Sequence, residues 1–205
     1  MNHLARPFLC LTLLTLSPSH GGVVISEIDL DNNKIELINT GGASVDLNSH
    51  WLCNRVNGSP FYSQITSYTI DVGNSTAASF NVGAGEILVL NLTAGLLPHS
   101  NGEMGLYNTN SFTSTAAIDD YILWGANGIR DIVAEGAGIW TDNNSIDVSG
   151  RSLGETLQLN PAEPGNSASD YFIAPSSFGS VNIPEPSSLL FVCLGAWGFA
   201  SRRRR

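Results

Sequence analysis

Short apolar stretches separated by turn-forming residues run through most of this 205-residue sequence. Stretches such as Val23–Ile28 have the length of a strand, and no long segment repeats apolar residues with the helical period. Clusters of Asp, Asn and Gly follow them, as at 29–33, and such residues favour tight turns. The pattern therefore predicts an all-β fold, a β-sandwich of many short strands with long loops.

Eight strands are predicted, and the first two should form a hairpin around residues 29–33. They are Val23–Ile28, Lys34–Asn39, Trp51–Asn54, Ser67–Asp71, Glu86–Asn91, Met104–Tyr107, Ile118–Trp124 and Thr156–Leu159. Residues 125–154 are rich in Gly, Asp and Asn, so they are predicted to be long loops with one short element around Ile139–Trp140.

The N-terminal residues have the layout of an export signal. Arg6 supplies positive charge, an apolar stretch runs from Phe8 to Leu16, and Ser17-Pro18-Ser19 offers small residues for cleavage. This order predicts a signal peptide over residues 1–20. The body of the protein would then span residues 21–182.

A second ordered unit covers residues 183–205. Pro184, Glu185 and Pro186 precede the apolar run Leu189–Ala200, and four arginines follow it. A helix over this run would be about 18 Å long, whereas the hydrocarbon core of a membrane is about 30 Å thick. The run therefore predicts a short transmembrane helix whose contact with the membrane is transient. The arginines that hold the C-terminal end in the cytoplasm are Arg202, Arg203, Arg204 and Arg205. An anchor that is never cut is the alternative, and the arginines disfavour a buried core helix.

The order of box, apolar run and basic end resembles the PEP-CTERM sorting signal of Gram-negative bacteria. The resemblance implies that an exosortase, acting with the secretion machinery, recognises Pro184, Glu185 and Pro186 and removes the tail. The precursor would be held transiently in the inner membrane. The body would then be released, or attached at the cell surface or outer membrane.

The body is strongly acidic, with four basic against seventeen acidic residues and a formal net charge of −13. Such a surface repels phosphate backbones, which excludes nucleic acid as a partner and suits divalent cations. After removal of both ends, Cys53 is the remaining cysteine, so no disulfide can form within the body. Its apolar neighbours predict a buried thiol.

The body also resembles the lamin tail domain. The segments that carry the resemblance are Val24–Ile28, Ile35–Gly41, Val45–Leu47, Trp51-Leu52, Val82–Val89, Ile118–Gly125, and the closing segments Ser169–Phe172 and Phe178–Asn182. The resemblance implies an immunoglobulin-like β-sandwich. The family has no catalytic signature, which implies a protein that is not an enzyme.

Alternation along the second predicted strand places Ile35 and Leu37 on the core face and Glu36 on the other. Glu27 lies on the first strand of the same hairpin. The two glutamates are expected either to face each other or to accept backbone N–H groups, and a structural role is favoured.

Oxygen-rich loops offer the candidate calcium ligands. Asp29, Asp31 and Asn33 alternate as in a calcium loop, but Lys34 and Thr40 stand where an EF-hand needs Gly and Glu. A hairpin turn is therefore the favoured interpretation. A second loop contributes Asp142 and Asp147. No cofactor is expected other than calcium at these two loops, and no other metal site is predicted.

Two further motifs suggest chemistry. Trp140 lies in a Gly-rich region and is the best candidate for an exposed aromatic residue that stacks on a sugar. Asp119 and Asp120 form the adjacent carboxylate pair, but neighbours on a strand point to opposite faces. They are nonetheless the candidates if the protein is a hydrolase.

The sequence therefore predicts an exported, non-enzymatic structural or binding module at the cell surface or in the matrix. Its partners would be extracellular polysaccharide or surface proteins. The first alternative is a calcium-assisted module that binds extracellular polysaccharide through loop carboxylates and Trp140. The second is a secreted hydrolase.

Overall fold

The computed structural model describes residues 22–56, 59–126, 128–141 and 144–182, and these residues form an all-β fold with a single short helix. The strands are β1 (Val23–Asp29), β2 (Lys34–Asn39), β3 (Val45–Asp46), β4 (Trp51–Val56), β5 (Ser59–Gln64), β6 (Thr69–Ile70), β7 (Asn81–Val82), β8 (Ile87–Asn91), β9 (Gly102–Tyr107), β10 (Ile118–Trp124), β11 (Glu155–Leu159) and β12 (Tyr171–Pro175). The helix α1 spans Asp131–Gly136.

The strands form two larger sheets and one small sheet. The six-stranded sheet has the order β12-β11-β1-β2-β8-β6, and the four-stranded sheet has the order β10-β9-β4-β5. Strands β3 and β7 form the small sheet. All of these pairings are antiparallel, as expected when hairpins and loops connect the strands.

A β-bulge in β1 lets Ile25 and Ile28, three residues apart, both face the core. Ile25 pairs with Leu37 and Ile28 pairs with Ile35, and a shift of register between them leaves Ser26 as the extra residue. The four apolar side chains are fully buried in the core. Glu27 pairs directly with Glu36, so both carboxylates lie on the opposite face, called the outer face below.

Asp120 joins the two larger sheets. β10 also has an irregularity of register, between Ile118 and Asp120, and β10 packs against β1. The Ile25 N–H donates a hydrogen bond of 2.6 Å to Asp120 Oδ2. The side chain of Asp120 thus satisfies a backbone donor of β1 with an acceptor from the other sheet.

The all-β prediction is confirmed, and the predicted bounds of β2 and β10 agree with the structure. The hairpin of β1 and β2 is also present. The predicted strand Ser67–Asp71 is shortened to Thr69–Ile70 because Ile65–Ser67 form a 3-10 turn.

The sequence analysis missed β3, β5, β7 and β12 as strands. The described residues of 125–154 are mostly loops, as predicted, but their one short element is a helix before Ile139, not at Ile139–Trp140. Asp131–Gly136 form α1, and Ile139 and Trp140 lie buried just after it. β5 was hard to recognise because it contains Pro60, which a strand at the edge of a sheet tolerates.

Within the described parts of the chain, no helix is long and apolar enough to cross a membrane. The predicted signal peptide over residues 1–20 and the predicted transmembrane run Leu189–Ala200 lie outside the described residues.

Candidate functional site at the C-terminal exit

The last described segment of the chain, Ser176–Asn182, is called the exit segment here because the 183–205 tail follows it. It continues from β12, which is an edge strand of the six-stranded sheet. Instead of leaving the body there, it returns over the outer face and bonds to side chains of β1 and β2. The paired carboxylates of Glu27 and Glu36 are its main attachment points.

Glu27 is fully buried and accepts hydrogen bonds from three donor groups. Ser177 donates its backbone N–H to Glu27 Oε1 at 3.0 Å, and Ser177 Oγ lies 2.8 Å from Glu27 Oε2. Thr156 Oγ1, on β11, donates to Glu27 Oε1 at 2.8 Å. Donors from two other elements therefore replace the water that this carboxylate loses on burial.

Glu36 holds the middle of the exit segment. The Gly179 N–H donates to Glu36 Oε2 at 2.7 Å, and Ser26 Oγ donates to Oε1 at 2.7 Å. Burial raises the pKa of Glu36 to about 7, and the negative charge of Glu27 adds to this increase. The two hydrogen bonds lower the pKa but do not cancel the effect of burial.

Asn182 fixes the end of the segment. Its Nδ2 donates to the backbone oxygen of Ser26 at 2.7 Å and to that of Leu159 at 3.2 Å. Its Oδ1 lies 2.7 Å from Ser177 Oγ. Asn182 is buried, so the residue directly before the tail is bonded to β1 and β11.

Gly179 is required by the path of the exit segment. Its φ of +80° lies in the left-handed region, where residues with a Cβ are strained. A Cβ at this position would also lie 2.5 Å from the backbone oxygen of Asn74. The exit segment thus passes directly against the 71–75 loop.

A polar cleft of about 460 Å³ lies beside the exit segment. Its lining residues are Asp29, Asn32, Lys34, Asn74, Gly154, Ser176, Ser177, Phe178 and Ser180. Lys34 makes an ion pair of 2.7 Å with Asp71 at the same end of the molecule. Hydroxyl, amide and charged groups around a half-buried Phe178 suit a polar ligand of small size.

The Asp29–Asn33 loop, the first candidate for calcium ligands, makes hydrogen bonds within the protein. Asp29 Oδ1 accepts the N–H groups of Asp31 and Asn32, at 2.8 and 2.9 Å. Arg151 donates twice to Asp31, at 2.8 Å each, and holds the pKa of that carboxyl well below its usual range. Asn33 has a φ of +54°, and its Oδ1 accepts the Leu97 N–H.

These contacts favour the hairpin-turn interpretation of Asp29, Asp31 and Asn33, and calcium binding there stays a prediction. Asp142 lies outside the described residues. Asp147 is exposed, and its Oδ1 accepts the Ser149 N–H at 2.9 Å. Among the described residues, no three His, Cys, Asp or Glu side chains are grouped so that they could hold a metal ion.

The prediction that Trp140 is exposed is wrong. Its side chain is 4% exposed and packs against the rings of Tyr121 and Tyr171. Its Nε1 donates to the backbone oxygen of Asn144 at 2.8 Å. Because both the ring and its polar group have partners inside the protein, Trp140 is a core residue and presents no face to a sugar.

Asp119 and Asp120 diverge, as alternation along a strand predicts. Asp119 accepts from Asn108 Nδ2 at 2.8 Å and lies 3.3 Å from His50 Nε2. Asp120 is buried against β1. Burial raises the pKa of Asp120 to about 7. The two carboxyl groups therefore do not converge on one reacting bond.

The sequence identified some parts of the exit site and not others. Glu27 and Glu36 face each other and also accept backbone N–H groups. Both arrangements expected from the hairpin are therefore present. Cys53 is buried as predicted. The roles of Ser177 and Asn182 were not foreseen, although Phe178–Asn182 were noted as a closing segment. The sorting residues Pro184, Glu185 and Pro186 and Arg202–Arg205 lie outside the described residues.

Comparison with known families identifies the tail. Residues 182–205 match the PEP-CTERM protein-sorting motif. This motif implies an exported protein of Gram-negative bacteria that an exosortase processes and that is sorted to the cell surface. The match begins at Asn182, where the described body ends.

None of the curated proteins matches this chain. One similar solved structure is the archaellum periplasmic stator protein complex FlaF and FlaG from Sulfolobus acidocaldarius, with 14% sequence identity and a TM-score of 0.33. The match covers 60% of this chain and 100% of that chain. A similarity at this TM-score is too weak to transfer a fold or a function.

Proposed function

We propose that this protein is a non-enzymatic structural or binding module, displayed at the cell surface or in the matrix after an exosortase removes its tail. One observation carries the proposal: the sorting motif starts at Asn182, the residue that closes a folded all-β body. An attached folded domain of this kind is what such a tail would deliver.

Within this proposal, the body is an immunoglobulin-like sandwich similar to the lamin tail domain. Support comes from two antiparallel sheets around one apolar core and from the hairpin of Glu27 and Glu36. The divergence of Asp119 and Asp120 gives no support to the hydrolase alternative.

Tail removal would depend on Glu185 as part of the recognised box. The apolar run that follows is too short for a stable anchor, and the arginines would keep its far end in the cytoplasm. The cut would therefore separate a transient membrane segment from the exported body.

Replacing Glu185 by Ala tests the sorting proposal. The precursor should accumulate in the inner membrane, while the unchanged protein yields a shorter body whose mass and C-terminal residue identify the cut. Arg6→Lys, which keeps the positive charge near the start of the signal peptide, serves as the control. A Glu185→Ala precursor that loses its tail normally would contradict the proposal.

The polar cleft favours a second candidate function, the binding of an extracellular polysaccharide. This site differs from the one expected around Trp140, because the cleft uses Asn32, Asn74 and Phe178. Calorimetric titration with acidic and neutral polysaccharides, with and without calcium, tests it. Asn32→Ala should weaken any binding, whereas Asn48→Ala, in an exposed turn, should not. Absence of heat with every polysaccharide would reject this function.

A further inference from the structure

We infer that the exit segment restrains removal of the tail, with Glu27 and Glu36 acting as positioning residues that hold the substrate chain against the body. The inference rests on the proposed processing by an exosortase, and it concerns how that step is regulated. The enzyme would act only on molecules in which the exit segment has opened.

The first argument is the short distance between the attachment and the recognised box. Asn182 is bonded to β1 and β11, and Pro184 follows it by two residues. Two residues of extended chain reach at most about 7 Å. The box is therefore joined through a single residue, Ile183, to a residue that is bonded to the body.

The second argument concerns the backbone that an enzyme needs. An enzyme that cuts a chain holds the residues around the bond extended in its own site and bonds to their backbone groups. Upstream of the box, the N–H groups of Ser177 and Gly179 and the side chain of Asn182 are already bonded to the body. These residues can enter an enzyme only after those bonds break.

The third argument is that the exit segment can open without unfolding the body. None of its described residues belongs to the main apolar core. Phe178 is half-buried, Ser180 is exposed, and Val181 is 54% exposed. Opening would also return water to the buried carboxylates of Glu27 and Glu36, which offsets part of the lost hydrogen bonding. These features are typical of a segment that opens locally.

The test uses the full-length precursor in cells that contain the processing enzyme, with the rate of tail removal followed by pulse-chase labelling and mass. Ser177→Ala removes a hydroxyl bonded to Glu27 and should speed removal by roughly tenfold, because a bond to a charged group is lost. Ser167→Ala is the matched control, since its hydroxyl bonds to Ser169 in the 3-10 turn before β12 and makes no bond that is described to the exit segment. Removal should keep its normal rate in this control.

A second change leaves every bond of the body intact. An insertion of about eight Gly and Ser residues between Asn182 and Ile183 moves the box away from the body and should also speed removal. Hydrogen exchange of residues 176–182 in the purified Ser177→Ala protein should rise, while that of β2 stays unchanged. This measurement separates local opening from general unfolding.

The outcomes distinguish this inference from the proposed function. Unchanged or slower removal for the insertion overturns the restraint by the exit segment, and so does unchanged removal in Ser177→Ala when exchange shows that the segment has opened. Neither result affects processing itself, which Glu185→Ala tests separately. Faster removal in both variants, with Ser167→Ala unchanged, supports the inference.

Discussion

At the scale of single residues, Glu36 shows how burial couples the exit segment to pH. Its pKa is raised from 4.5 to about 7, so the folded state binds a proton there that the unfolded chain releases between these values. The unfolding free energy contributed by this group is therefore largest below pH 4.5 and falls as pH rises towards 7.

Glu36→Gln should reduce this pH dependence. The amide oxygen can still accept the Gly179 N–H, the amide N–H₂ can donate to Ser26 Oγ, and no charge is buried at high pH. Relative to the unchanged protein, the variant should gain roughly 2 kcal/mol between pH 5 and pH 8. Urea unfolding across this range measures the effect. Asp120 has a similarly raised pKa, so part of the slope should remain. An unchanged slope would contradict the role of Glu36.

Gly179→Ala should cost roughly 1–3 kcal/mol of local stability because a strained φ and a backbone collision combine. Gly138→Ala is the matched control, since Gly138 has a φ of +74° but open space where its Cβ would lie. Hydrogen exchange should increase in the exit segment for Gly179→Ala alone. Equal effects of the two variants would show that the contact with Asn74 is unimportant.

At the scale of elements, two irregular strands are joined by one carboxylate. The bulge in β1 lies next to Ile25, and Asp120 on β10 accepts the Ile25 N–H. The irregularity of β10 lies beside Asp120. The contact between the two larger sheets therefore depends on a polar bond as well as on apolar packing.

Asp120→Ala should destabilise the body by roughly 2–4 kcal/mol, because the buried Ile25 N–H loses its acceptor. Asp147→Ala, in an exposed turn, should change the unfolding free energy by less than about 0.5 kcal/mol. Denaturant midpoints for both variants check this. A small effect at Asp120 would mean that the sheets hold together by packing alone.

The elements also show what the sequence could and could not predict. Apolar runs such as Ile87–Asn91 identify buried strands directly, and Asp29–Asn33 identify a turn. α1 was not predicted because its six residues are too few to display a helical period. The place of Ser177 depends on contacts about 150 residues apart in the chain, which no local pattern reports.

At the scale of the whole molecule, the body carries a formal net charge of −13. Like charges spread over a compact body repel one another, and salt screens this repulsion. The Tm should therefore rise by a few degrees between about 20 and 300 mM NaCl. Calorimetry at pH 8 measures it. A fall in Tm would mean that screened ion pairs, such as Lys34 with Asp71, outweigh the repulsion.

The burial of Asn182 also bears on the life of the protein outside the cell. Carboxypeptidases remove residues one by one from a free carboxyl end and need an unfolded chain to do so. Once the cut has been made beyond Asn182, they can trim only the short stub that remains for as long as the exit segment is closed, because Asn182 is bonded within the body. The exported protein would thus keep a uniform C-terminus in the presence of extracellular proteases.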